Sequence, residues 1–263
     1  MKSIIASVTL LLLMATAPAV RAADPGLVEM ADSAYSSDDF ATAAQLYNEA
    51  IDSLGTSSEL YYNLGNTYYR MGKPGKAVAS YERALRLDPT NTDARTNLEF
   101  VNSRLIDRPG ERGTLFGNMT DKAALSLHYN TWAWLALGAF VVFLGAVALY
   151  LFCPVVVWRK VGFFGGFAVL IFTVAAVILA LRGASVSTTS DKAVIIAPST
   201  ILSTSPRTPR DRSEEAILLH EGTTMLVIDS VSSRTDSVKT VWVDVQIDNS
   251  HRAWIRRDAI EII

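Results

Sequence analysis

The polar and apolar positions of this 263-residue chain fall into blocks of different period. Residues 4–15 are almost continuously apolar behind Lys2, a run shorter than a bilayer span. From residue 24 to about residue 106, apolar side chains recur every three or four positions among many charges, which is the spacing of amphipathic helices. Residues 123–158 contain no charged side chain apart from His128, and residues 161–181 are again free of charge. The remainder, from residue 184, is rich in Val, Ile, Thr and Ser in short runs divided by polar turns, which predicts an all-β segment. The pattern predicts a multi-domain membrane protein: an all-α part, two transmembrane helices and a C-terminal all-β domain.

The first block has the parts of an export signal: Lys2, an apolar run, the helix-breaking Pro18, and Val20-Arg21-Ala22 with small residues at the −3 and −1 positions. Cleavage is expected after Ala22, giving a signal peptide at residues 1–22; an uncleaved anchor helix is the alternative.

The helical block, residues 23–106, contains an internal repeat. Ala43, Tyr47 and Ala50 recur 34 positions later as Ala77, Tyr81 and Ala84. The second copy, residues 58–91, places Tyr61, Leu64, Gly65 and Tyr68 on one helix and Ala77, Tyr81 and Ala84 on the facing stripe of the next. Gly65 and Ala77 are small enough for close helix approach. Gly72 and Pro74 make the turn, and Pro89 stops the second helix. This stretch resembles the tetratricopeptide repeat, whose period it shares. The first copy, residues 24–57, departs from that pattern at Leu27 and Ala31 and lacks a proline near Gly55. Leu98, Val101 and Leu105 predict a third helix over residues 92–106 that caps the second repeat.

Residues 107–130 read as a polar linker followed by a segment in which Leu115, Phe116, Leu125 and Leu127 could lie along a membrane surface. Spans are expected at residues 131–152 and 161–181, with Trp132 and Trp134 at the start of the first. A buried helical hairpin of a soluble protein is the alternative. Gly138 and Gly145, seven apart, and Gly162, Gly165 and Gly166 offer close approach to neighbouring helices. Arg159-Lys160 between the spans favours the cytoplasmic side, which places both polar domains across an inner membrane, in the periplasm of a bacterium.

In residues 184–263, strands are expected at Ala193-Val194-Ile195-Ile196, from Met225 to Asp229, from Thr240 to Ile247, at Ala253-Trp254-Ile255 and near Ala259 to Ile263. The His220-Glu221-Gly222-Thr223 turn, the Trp242-Val243-Asp244-Val245 strand and the Ala253-Trp254-Ile255 strand resemble a bacterial SH3-like barrel. Ala253 stands where that family usually has Gly, and the polar stretch from Ser203 to Glu215 is longer than its compact form.

Composition narrows the chemistry. A net charge of −2 offers no concentrated basic surface for nucleic acid. A single cysteine, Cys153, forbids an intramolecular disulfide. No Gly-rich phosphate loop, nucleophile elbow or metal-spaced Cys/His set occurs in the sequence, so no enzyme, cofactor or metal is expected. His220 is expected to bond the backbone and His251 to be solvated. The resemblance to tetratricopeptide repeats implies a concave, partner-binding face lined by Asp32 and Tyr35, by Tyr62, Asn66, Tyr69 and Arg70, and by Asn97. An asparagine there could bond both N–H and C=O of an extended peptide, and Arg70 could pair a carboxylate. A solvated face with no specific ligand is the alternative.

The order of parts resembles BatE-type proteins of the Bacteroides aerotolerance group. The resemblance implies a non-catalytic scaffold subunit of an envelope complex whose partners are other membrane proteins, linked to oxygen tolerance or envelope stress. A peptidoglycan-binding protein acting through the SH3-like domain is the competing expectation.

Overall fold

The computed structural model describes residues 26–107, 115–188, 191–235 and 238–263. The expected leader at residues 1–22 and most of the linker that follows Asp107 lie outside the described residues, as do the side chains of Leu115 and Phe116. The chain divides into two compact units, Met1–Thr56 and Ser57–Ile263.

In the first unit, helix α1 (Gly26–Ser36) is followed by α2 (Phe40–Leu54). Asp39 caps α2, its carboxylate accepting from the Thr42 N–H. Ala31, Ala43, Tyr47 and Ala50 are almost wholly buried, and the Tyr47 hydroxyl of α2 donates to Asp32 of α1.

The second unit opens with α3 (Ser58–Arg70), α4 (Pro74–Leu87) and α5 (Thr92–Asn102). Ser57 and Asn91 cap α3 and α5 through their side-chain oxygens. The sharp turn between α3 and α4 uses Gly72 at φ 68°, and Pro74 opens α4. The close approach expected at Gly65 is real: a Cβ there would lie 2.6 Å from the Tyr81 ring. The cap helix is shorter than expected. It ends at Asn102, where Ser103 turns its hydroxyl back to the Phe100 carbonyl, so Leu105 leaves the helix.

Next come α6 (Leu115–Ala124), α7 (Tyr129–Phe152) and α8 (Val156–Thr188). The latter two are 24 and 33 residues long and apolar enough to cross a membrane. Their connection is shorter than the sequence suggests. The chain reverses at Cys153-Pro154-Val155, because proline cannot continue α7, and Arg159 and Lys160 lie in the first turns of α8 rather than in a loop. The glycines divide into two sets. Gly162 and Gly166 face α7, where a Cβ would meet the Ala146 carbonyl oxygen at 2.7 Å and the Ala146 Cβ at 3.2 Å. Gly138, Gly145 and Gly165 have nothing within 4 Å of a built Cβ. At the other end of the hairpin, α6 is tied to α8 by Arg182, whose Nε and Nη2 donate to Asp121 at 2.5 and 3.2 Å. The Trp132 indole donates to the Ala124 carbonyl at 3.2 Å. The start of α7 and the end of α8 therefore share one end of the pair.

The C-terminal part is a seven-stranded antiparallel sheet: β1 (Lys192–Ile195), β2 (Ser199–Ser203), β3 (Glu215–His220), β4 (Thr224–Thr235), β5 (Val238–Gln246), β6 (Arg252–Arg256) and β7 (Ile260–Ile262), in the order β3-β2-β6-β5-β4-β1-β7. The sequence pattern misses β2 and β3, reading the end of β3 as part of a turn, and understates the β4–β5 hairpin, which pairs as far as Thr235 opposite Val238. Along β5, Trp242, Val243, Asp244 and Val245 are all buried, so the alternation there does not separate core from solvent. Asp244 keeps that position through a two-pronged pair with Arg252.

The sheet sits on α4. Val194 and Ile263 are buried in one cluster with Ala77, Val78, Tyr81, Ala84, Leu98 and Val101. Around that contact Arg83 pairs with Glu261 and donates to the Ile262 carbonyl at 2.6 Å, and Lys192 reaches Glu82 at 3.0 Å. The Gly75 N–H donates to Glu221 at 3.0 Å. A Cβ on Gly75 would lie 2.3 Å from the Ile195 carbonyl oxygen, so only glycine admits this approach.

Candidate partner-binding site

The expected lining residues are best followed from the repeat upward. In each repeat the residue 15 positions before the buried tyrosine accepts its hydroxyl proton: Asp32 from Tyr47, and Asn66 from Tyr81 at 2.7 Å. Burial first, and then the Asp32 carboxylate beside it, push the Tyr47 phenol above its ordinary range. Asn66 also accepts from the Asn97 amide at 2.8 Å. Its carbonyl oxygen, expected to face a peptide, is thus spent on joining α3, α4 and α5, and Asn97 is turned toward it. Tyr62 leans on Tyr81 with ring centroids 6.3 Å apart, and Tyr35 meets Phe40 edge-on at 5.4 Å. Asp32, Tyr62, Asn66 and Asn97 therefore have roles inside the fold.

Tyr69 and Arg70 are placed differently. They line a cleft of about 450 Å³ with Gly72, Pro74, Val101, Arg104 and Leu105. Tyr69 packs edge-on against Phe100 at 5.6 Å, and the Arg104 guanidinium lies 3.5 Å over that ring. The cleft joins an aromatic wall, an apolar floor from Val101 and Leu105, and two guanidinium groups. Such a surface can hold an apolar side chain and a neighbouring carboxylate. Phe100, Val101 and Arg104 are absent from the expected lining. A sequence signal exists for two of them: Phe100 and Arg104 are four apart, the spacing of neighbours on a helix face.

A polar knot beside the cleft was also illegible. The Asp107 carboxylate accepts from the His220 backbone N–H and from the Thr223 hydroxyl at 2.8 Å, and lies 3.2 Å from His220 Nδ1. His220 thus bonds a carboxylate rather than the backbone partner expected of it. Burial would raise the Asp107 pKa, but the hydrogen bonds from His220 and Thr223 outweigh it and hold the group below the usual carboxylate range. His251, expected to be solvated, is exposed and also caps its own turn, with Nδ1 2.7 Å from Asp248.

The tetratricopeptide repeat family matches residues 58–91, the segment that forms α3 and α4. A protein SGT1 homolog from Oryza sativa subsp. japonica is 36% identical over 109 residues, which is 41% of this chain and 27% of that relative. The chain thus spans about a quarter of the length of the curated relative it matches.

Proposed function

We propose that the protein is a non-catalytic, membrane-anchored scaffold that holds a partner protein in the cleft between α3 and the end of α5. The tetratricopeptide repeat supports protein–protein interaction, and the two apolar helices support anchoring. The observation that carries the reading is the cleft itself: the helices around it are locked by Asn66 and by the sheet on α4, and Tyr69, Arg70 and Arg104 line it.

The finer reading is a BatE-type subunit of an envelope complex, with a cleaved leader, an SH3-like barrel and a link to aerotolerance or envelope stress. Its topology puts both polar domains in the periplasm. Two features support the part of that topology that puts both polar domains on one side: α6 and the end of α8 share one end of the hairpin, and the sheet that follows α8 rests on α4. The competing reading, a peptidoglycan-binding sheet, draws on Ile201 and Leu218, which pair directly across β2 and β3 and are both about half exposed.

A photo-crosslinking residue placed at Tyr69 in the full chain, irradiated in native membranes, tests the choice. A fixed protein adduct that disappears in Arg70→Ala/Arg104→Ala supports the scaffold. An unchanged adduct in that variant, or capture of wall fragments alone, sinks it. Asn66 is unsuitable as a probe because its loss would loosen three helices.

A further inference from the structure

At one end of the hairpin the cation is matched: Arg182 has Asp121. At the other end Arg159 and Lys160 face no such partner. The sequence contains no carboxylate between Asp121 and Asp191, and the described residues bring none to these two side chains.

The two cations line a pocket of about 330 Å³ with Tyr150 and Val156, and with Phe163 and Phe164 one helical turn further along α8. The Arg159 guanidinium lies 5.5 Å over the Tyr150 ring. Tyr150 and Phe163 have centroids 5.7 Å apart, and Phe163 and Phe164 are 5.3 Å apart. Residues at i and i+4 stack along a helix face, so Arg159 stands above Phe163 and Lys160 above Phe164. The result is a cationic mouth over an aromatic floor, displaced from each other along the helix by about 6 Å. Both aromatics are more than half exposed, as is Trp158 beside them.

We infer that this pocket binds an anionic phospholipid, its phosphate at Arg159 and Lys160 and its acyl chain against Phe163 and Phe164. The charge supplies the missing counter-anion, and the depth of the floor matches the step from headgroup to hydrocarbon. A free phosphate would satisfy only the mouth. This inference rests on the membrane-spanning reading of α7 and α8.

The test uses the full chain purified in mild detergent and titrated by native mass spectrometry. Phosphatidylglycerol is compared with phosphatidylcholine of identical acyl chains, and glycerol phosphate is added as competitor. Two cations at an anionic lipid predict a preference of roughly tenfold or more for phosphatidylglycerol. Arg159→Gln/Lys160→Gln should abolish the preference, whereas Arg159→Lys and, at the far end, Lys122→Gln should keep it. Equal binding of the two lipids, a preference that survives in the double variant, or full displacement by glycerol phosphate overturns the inference. Alkaline washing of native membranes separates the two readings. A protein that stays in the washed membrane yet shows no lipid preference refutes only the pocket; one that washes out refutes the anchor.

Discussion

Two glycines show how single atoms decide this structure. Gly65 faces the ring of Tyr81, which is buried and fastened to Asn66, so the ring cannot swing aside. Gly65→Ala should therefore cost about 1–3 kcal/mol through overpacking, read as a lowered thermal midpoint of the helical signal. Gly75 faces backbone, the Ile195 carbonyl, and its Cβ could be accommodated only by separating the sheet from α4. Gly75→Ala should raise hydrogen exchange in β1 and along the face of α4 that β1 covers, with a smaller loss of helical signal than Gly65→Ala. An increase confined to β1 would show that α4 does not lean on the sheet. The first glycine is legible from the 34-residue period, because the repeat pattern requires a small residue there. The second is not, since its constraint comes from a strand more than a hundred residues away.

Among the elements, the segment after α5 is held by acid–base chemistry as well as by packing. Leu105 lies so close to Gly222 that a Cβ there would be 2.5 Å from Leu105 Cδ2, and Asp107 follows, accepting from the His220 N–H and the Thr223 hydroxyl. A carboxyl whose folded pKa is depressed stabilises above its unfolded value, about 3.9, and loses that contribution as pH falls through the folded value. The contact should hold from neutrality to about pH 5 and weaken in stronger acid. Asp107→Ala should remove about 2 kcal/mol at neutral pH. Hydrogen exchange around His220 as pH is lowered checks both: protection that is flat in the wild type below about pH 4 would contradict the assignment. Elements of regular period were readable in the sequence: α3, α4, both long apolar helices and β5 all follow from spacing or length. β2 and β3 were not, because Ser199 to Ser203 offers only two aliphatic residues, Glu215 to His220 follows a long polar stretch and runs into the turn at Glu221-Gly222, and each needs the other for pairing. The end of α5 was misjudged for a related reason, since Leu105 keeps helical spacing but serves a tertiary contact.

Across the whole second unit, the repeat does not complete its own core. Val194 and Ile263 join α4 and α5 in one buried cluster, so the sheet completes a core that the helices of the repeat leave open. Ile263→Ala should destabilise by about 2–4 kcal/mol and expose amides of α4, not only those of the strands. Loss of protection confined to the sheet would mean that the contact is passive. The same arrangement explains why the binding residues were only partly legible. Tyr69 and Arg70 could be placed from the repeat alone, whereas Arg104 joins them from just past the end of α5, over Phe100, outside the matched repeat.

The dependence of α4 on Val194 also bears on biosynthesis. The helices of the repeat leave the ribosome before the two apolar helices, and the strands leave after them. On the membrane-anchored reading proposed above, a chain whose hairpin entered the bilayer with only one crossing would leave β1 on the opposite side from α4, and α4 would keep an open apolar flank. Misinserted copies would thus mark themselves for proteolysis, with no separate sensor of orientation required.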